Sequence, residues 1–180
     1  MERGTTVQLC ASCNTNGADV TFSILKKGET TPITLTKPSY AGGKYTKDYS
    51  FDTIGEYTIY FTATKDGYSV QSAEKKLTVT KATIPASAIT APAANALTYN
   101  GNEQALITAG SVTDYGTMQY SLTKNGTYSP NIPTGTDAGT YTVWYRVIGD
   151  ANHNDTAPAS VAVSIRKKPL TITGVTAASK

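Results

Sequence analysis

Apolar and polar residues alternate along several short segments of the chain, and turn-forming residues separate these segments. In the first half the alternation predicts strands near residues 5–10, 19–26, 44–50, 55–64 and 70–80. In the second half it predicts strands near residues 105–109, 117–123, 126–129, 139–148 and 158–166. No stretch shows the 3.6-residue period of an amphipathic helix. The chain is therefore predicted to be all-β.

Pairs of residues that contain glycine mark the predicted turns. These pairs are Lys27-Gly28, Asp66-Gly67, Asn100-Gly101 and Asn125-Gly126. Asn125-Gly126 gives the strongest hairpin signal, because both residues tolerate the positive φ of a type I′ turn and strand-like residues lie on either side.

One part of the sequence recurs 84 residues further along the chain. At this offset residues 51–60 align with 135–144, Gly55 with Gly139, Tyr57 with Tyr141, and residues 77–79 with 161–163. A repeat of this length indicates that one structural unit occurs twice. It favours two sandwiches over a single barrel.

The repeat sets the predicted domain boundaries. We place one domain at residues 1–82 and a second at 83–168, with a proline-containing linker between the two copies. Residues 169–180 are predicted to be the truncated start of a next repeat or a tail. Threonine, valine, isoleucine and the 12 tyrosines suit strands, and the hydrophobic share of 39% supports modest cores.

Several segments resemble known families. Residues 137–141, Asp-Ala-Gly-Thr-Tyr, resemble the tyrosine-corner sequence of immunoglobulin-like domains. Residues 97–104, 116–122 and 149–155 are similar to the MBG-type immunoglobulin-like repeats of large bacterial surface proteins, and residues 168–177 resemble the start of YDG-type repeats. The resemblance implies two tandem immunoglobulin-like β-sandwich domains in an extracellular stalk or adhesin without catalytic residues.

The tyrosine corner gives a specific structural expectation. We expect the Tyr141 ring to be buried and its hydroxyl to bond to the backbone just upstream. Trp144, three residues later, should then lie on the opposite face of the same strand. The first copy keeps Gly55 and Tyr57 but has Asp52 one position early.

Charge and hydropathy narrow the functional classes. The net charge of +3 is spread along the chain, and the longest basic run is the triplet 166–168, so we expect no nucleic-acid partner. No apolar run reaches the roughly 18 residues that span a bilayer, and we expect no membrane insertion. Because residues 1–3 lead into polar sequence, a signal and anchor are expected elsewhere in a longer protein. We expect a monomer at the cell surface, in the cell wall or otherwise outside the cell.

Two groups of residues are candidates for metal or redox chemistry. His153 lies near Asp150 and Asp155, but the run lacks the ligand spacing of a calcium loop and a second histidine for zinc. We interpret it as a loop between strands. Cys10 and Cys13 have the spacing of redox and zinc motifs without the further ligands. A disulfide between them requires the strand to end near Cys10 and turn, so a disulfide and two free thiols both stay open.

The leading hypothesis is a structural or adhesive stalk module rather than an enzyme. The alternative is a module that binds a host or dietary glycan or a surface protein. One version of this alternative is an accessory module of a polysaccharide-degrading enzyme. Exposed tyrosines would provide a sugar-stacking platform, and the candidates are Tyr45, Tyr99, Tyr115 and Tyr128. Strand tyrosines more often pack across strands. The sequence predicts no catalytic, cofactor-binding or metal-ligating residue and leaves the ligand-binding residues unknown.

Overall fold

The computed structural model describes residues 1–15, 17–171, 173 and 174. Strands account for the regular structure of these residues, apart from one 3-10 turn at Ala86–Ala88. The prediction of an all-β chain is confirmed. The chain folds into two compact units: one contains Met1–Thr83 and Ala151–Asn154, and the other contains Ile84–Asp150 and the chain from Asp155 onward.

The described residues of the first unit form eight strands. They are β1 Thr6–Ser12, β2 Asp19–Lys26, β3 Ile33–Leu35, β4 Ser39–Ala41, β5 Lys44–Ser50, β6 Gly55–Lys65, β7 Tyr68–Gln71 and β8 Lys75–Val79. One sheet has the order β3-β2-β6, and both β7 and β8 pair with β6. The other sheet has the order β1-β5-β4.

Both sheets of the first unit contribute side chains to one core. Alternate residues of each strand point inward, and the buried apolar residues are Leu9, Ala11, Ala18, Val20, Phe22, Ile24, Tyr45, Phe51, Tyr57 and Val79. The first unit is therefore a β-sandwich.

Ten strands form in the part of the second unit that the structure describes. They are β9 Ile89–Thr90, β10 Ala93–Ala94, β11 Leu97–Thr98, β12 Gln104–Ala105, β13 Ile107–Thr108, β14 Ser111–Val112, β15 Gly116–Ser121, β16 Thr134–Gly135, β17 Gly139–Gly149 and β18 Ala159–Arg166. The main sheet has the order β11-β18-β17-β15, with β11 parallel to β18. Short pairs form between β9 and β14, β10 and β13, and β12 and β16. Its core is separate from the first, and its buried residues are Ile84, Leu106, Ile107, Met118, Tyr120, Val143, Val147, Val163 and Ile165.

Each unit has a tyrosine corner. The Tyr57 hydroxyl donates to the Thr53 carbonyl oxygen at 2.7 Å, and the Tyr141 hydroxyl donates to the Asp137 carbonyl oxygen at 2.9 Å. The predicted bond of Tyr141 is confirmed, and so is the immunoglobulin-like sandwich fold. The expected burial is wrong for Tyr141, whose ring is half-buried, whereas Tyr57 is only 6% exposed.

Trp144 is half-buried and lies on the face of β17 opposite Tyr141, as predicted from the odd spacing. The Lys124 ammonium lies 5.4 Å from the Trp144 ring centroid. This cation–π contact covers part of the ring from outside the core.

The repeat has two different offsets. In the first unit Tyr57 pairs with Leu77, and in the second Tyr141 pairs with Val163. The last strands therefore correspond at an offset of 86 rather than 84 residues, and the predicted match of 77–79 with 161–163 is wrong. Because side chains alternate with a period of two, this difference of two residues still places corresponding positions of the last strand on the core face.

The predicted type I′ turn at Asn125-Gly126 is wrong. Neither residue is among those described with positive φ. The Gly126 amide instead donates to the Thr123 carbonyl oxygen, and Ser129 forms only an isolated bridge with Tyr120 in place of the strand predicted at 126–129. Pairing at Tyr120 and Ser129 leaves a connection too long for a two-residue turn.

Two-residue turns occur elsewhere in the chain. Asp66 and Gly67 have φ of 49° and 83° between β6 and β7, and Gly42 and Gly43 have φ of 55° and 78° between β4 and β5. Positive φ at both central positions is the mark of a type I′ hairpin. The turn predicted at Asp66-Gly67 is confirmed.

Some predicted strands are interrupted and others were missed. The single strand predicted at 70–80 is divided into β7 and β8, because both the amide and the hydroxyl of Ser72 bond to the Phe61 backbone and end the regular ladder. The strand predicted at 105–109 is divided between β12 and β13 at Leu106. The sequence pattern missed the short strands β3, β4, β9, β10, β11, β14 and β16.

Part of the C-terminal prediction lies outside the described residues. Residues 172 and 175–180 are in that category, and four of them, 172 and 175–177, belong to the YDG-like segment. Residues 169–171, 173 and 174 are described and carry no strand. The assignment of 169–180 to a next repeat stays a prediction.

Candidate functional site: a groove beside strand β7

A groove of about 660 Å³ opens on the first unit. The end of β1 and the residues after it, Ser12–Thr15, form one side of the groove. The other side is the inner face of β6 and β7, which carries Phe61, Ala63, Tyr68 and Val70. This volume lies within the range of protein binding sites, roughly 300–1,000 Å³.

The apolar side of the groove is unusually open to solvent. Tyr68 is 81% exposed and Val70 is 68% exposed, although both share a sheet face with the half-buried Phe61 and Ala63. Neither residue was among the candidates predicted from the sequence. The signal that would have located Tyr68 is its place directly after the Asp66-Gly67 hairpin, which carries it to the tip of an edge strand.

Lys65 carries the only formal charge among the described groove residues. The remaining polar lining consists of hydroxyl, amide and thiol side chains, from Ser12, Cys13, Asn14, Thr15, Thr64, Gln71 and Ser72. Such a lining suits a neutral or acidic ligand that offers hydrogen-bonding groups beside an apolar surface.

An exposed ion pair lies outside this groove. The Lys27 ammonium donates a hydrogen bond to the Glu56 carboxylate, and this bond raises the pKa of Lys27 and lowers the pKa of Glu56. Both side chains are exposed, so the pair contributes little to stability.

Of the four tyrosines that were candidates for a sugar-stacking platform, one is buried, two are half-buried and one is exposed; in that order they are Tyr45, Tyr115 with Tyr128, and Tyr99. Tyr45 is only 6% exposed, and its hydroxyl donates to the Ala18 carbonyl oxygen at 3.1 Å. The prediction that Tyr45 is exposed is wrong, because it occupies an inward position of β5. Tyr115 packs against the second core, and the Arg146 guanidinium lies 4.5 Å from the Tyr128 ring centroid. Tyr99 is exposed.

His153 is buried, with 7% exposure, and its backbone bridges to Ala82. The Asp155 carboxylate accepts a hydrogen bond from the Gly149 amide at 2.9 Å, an interaction that holds the loop between β17 and β18. In the ranges that the structure describes, no three histidine, cysteine or acidic side chains gather as metal ligands.

Cys10 and Cys13 are free thiols. Strand β1 continues past Cys10 to Ser12, so the chain does not turn where a disulfide would require it to. Residues three apart in an extended strand are about 10 Å apart, beyond disulfide range. Of the two alternatives left open by the sequence, the structure shows free thiols.

Within the described ranges, no helix has the length and apolar character needed to cross a bilayer. No family model matches the chain, and no curated protein matches it. Among solved structures the chain is similar to the fibronectin(III)-like modules of Clostridium thermocellum CbhA, with 17% sequence identity, a TM-score of 0.35, and coverage of 98% of this chain and 93% of that chain. The MBG-type and YDG-type resemblances stay predictions, and the immunoglobulin-like fold rests on the sheets and tyrosine corners described above.

Proposed function

We propose that the chain is a non-catalytic structural or adhesive repeat module, forming a stalk segment of a large secreted or cell-surface bacterial protein. The observation that carries this proposal is the repetition of one sandwich with the same tyrosine corner, Tyr57 to Thr53 and Tyr141 to Asp137. Each copy has its own buried core, so units can be added in series without a new fold.

Surface labelling of whole cells tests the proposed location. An antibody raised against the 180-residue chain should label intact cells of the source bacterium, and an antibody to a cytoplasmic protein should label them only after lysis. Labelling by both antibodies only after lysis would contradict a secreted or surface-exposed stalk.

A second candidate function is a carbohydrate- or protein-binding module, including one that is accessory to a polysaccharide-degrading enzyme. The open groove with Tyr68 and Val70 on its wall favours this candidate. A glycan array distinguishes a sugar-binding module from a pure stalk, with the parent chain, Tyr68→Ala, and Tyr99→Ala as the matched exposed tyrosine outside the groove. Binding to one sugar class that is lost only in Tyr68→Ala would assign the groove to sugars.

A further inference from the structure

Strand β1 is an edge strand, and its last residue, Ser12, lines the groove. In the described residues β5 is its only strand partner. The Phe51 amide donates to the Thr5 carbonyl oxygen, so odd-numbered residues of β1 bond toward β5. By the alternation of an antiparallel ladder, the N–H and C=O groups of Gln8, Cys10 and Ser12 point away from β5. The edge can therefore pair with a further strand.

The second unit shows what covers the corresponding edge. β12 pairs with β16, as β1 pairs with β5, and both partner strands end just before a tyrosine corner. Strands β13 and β14 follow β12 along the chain, and they pair antiparallel with β10 and β9, which lie within residues 89–94. Ile89 of this segment packs against the core. The first unit has no such segment among its described residues.

The point where this segment would join the first unit is visible in the hydrogen bonds. The Tyr99 amide donates to the Arg166 carbonyl oxygen at 2.8 Å, beside the parallel pairing of β11 with β18. In the same way the Arg3 amide donates to the Thr80 carbonyl oxygen at 2.9 Å, beside a parallel bridge just after β8. Leu97 and Met1, two residues earlier, each pack against their own core. Met1 therefore occupies the position of Leu97.

We propose that the groove between β1 and β7 accepts an extended, uncharged polypeptide strand that enters ahead of Met1, pairs antiparallel with β1 and covers Tyr68 and Val70. Residues 89–94, Ile-Thr-Ala-Pro-Ala-Ala, carry no charge, and the described groove lining has no acidic side chain to attract a basic strand. Backbone hydrogen bonds would supply affinity and the apolar wall would select the side chains, as in strand addition to other sheet edges.

The test compares the 180-residue chain with a variant that carries a copy of residues 88–96 directly ahead of Met1. Amide hydrogen exchange at Gln8, Cys10 and Ser12 is the readout, because these amides lack a strand partner in the parent. We expect exchange at these amides to be slower by at least about tenfold in the extended chain. The matched control has proline at the copied positions of Thr90 and Ala93, which removes two backbone donors, and should exchange like the parent.

A second variant tests the apolar wall. Val70→Asp in the extended chain leaves the core intact, because Val70 is exposed, and should return exchange at Gln8, Cys10 and Ser12 toward the parent rates. Parent-like exchange in the extended chain, or equal slowing by the proline control, would overturn the proposal. Slowing by a glycan in the parent chain that is lost in Tyr68→Ala would also overturn it, since the groove would then be a sugar site.

Discussion

Removing the hydroxyl of Tyr57 tests the tyrosine corner in the unit where the ring is buried. This hydroxyl donates to the Thr53 carbonyl oxygen at 2.7 Å, and the Phe51 ring contacts the Tyr57 ring edge-on with centroids 5.0 Å apart. Tyr57→Phe keeps the ring contact and leaves the Thr53 carbonyl without this partner. We expect the free energy of unfolding to fall by about 1–2 kcal/mol.

The same substitution at Tyr141 should cost less. Its hydroxyl bond to the Asp137 carbonyl is exposed, so water can replace the lost donor. We expect Tyr141→Phe to lower the free energy of unfolding by less than about 1 kcal/mol. Truncation of the ring should follow the same order, with about 3–5 kcal/mol for Tyr57→Ala and about 2–3 kcal/mol for the half-buried Tyr141→Ala.

Urea unfolding followed with two probes measures these differences. Trp144 is the single tryptophan of the chain, so its fluorescence reports the second unit, and far-UV circular dichroism reports both. Because the cores are separate clusters, Tyr57→Phe should leave the Trp144 transition in place. If Tyr57→Phe shifted that transition as far as the first unit's, the chain would be one cooperative unit. If Tyr141→Phe cost as much as Tyr57→Phe, burial would not set the strength of the corner.

Three further predictions follow from local geometry and titration. Gly116 has φ of 152°, and an added Cβ would lie 2.0 Å from a backbone oxygen, so Gly116→Ala should lower the free energy of unfolding by about 2–5 kcal/mol in urea unfolding. Gly139→Ala, which meets no atom within 4 Å, should change it by less than about 0.5 kcal/mol, and equal effects would contradict the geometry. Burial raises the pKa of Tyr57 above 10.0, so the folded chain keeps a proton that the unfolded chain loses, and stability should fall as pH rises from about 10 toward this higher pKa. Urea unfolding at about pH 9 and pH 11 should show a smaller loss in Tyr57→Phe, and an unchanged loss would exclude Tyr57 as the cause. Iodoacetamide should alkylate both Cys10 and Cys13 under native conditions without reductant, as intact mass would show, whereas no alkylation until reduction would indicate a disulfide.

The long central strands could be predicted from the sequence because each buries one face. The predicted ranges 19–26 and 44–50 coincide with β2 and β5. In β2, the buried Val20, Phe22 and Ile24 occupy every second position. Short strands such as β3 and β4 expose nearly all their residues, so burial imposes no period on them. Their pairing is specified by turns instead, and the Gly42-Gly43 pair was an available signal.

The prediction that Tyr45 is exposed failed because it ignored the position of this residue within its strand. Tyr45 and Tyr49 are four residues apart on β5, so the period of two places both on the same face of the strand, which the structure shows to be the core face. The groove residue Tyr68 lies on β7, whose four residues are all exposed. No period of the sequence marks it.

The groove itself depends on two edges that are distant in sequence. β1 ends at Ser12 and β7 begins at Tyr68, and only the stacking of their sheets brings them to the two sides of one opening. In the second unit residues 89–94 pair with the strand edge that corresponds to the edge of β1, whereas in the first unit that edge is open among the described residues. The two copies therefore share the tyrosine corner that supports each sandwich and differ at the edge of β1, and that edge is where a partner strand would bind.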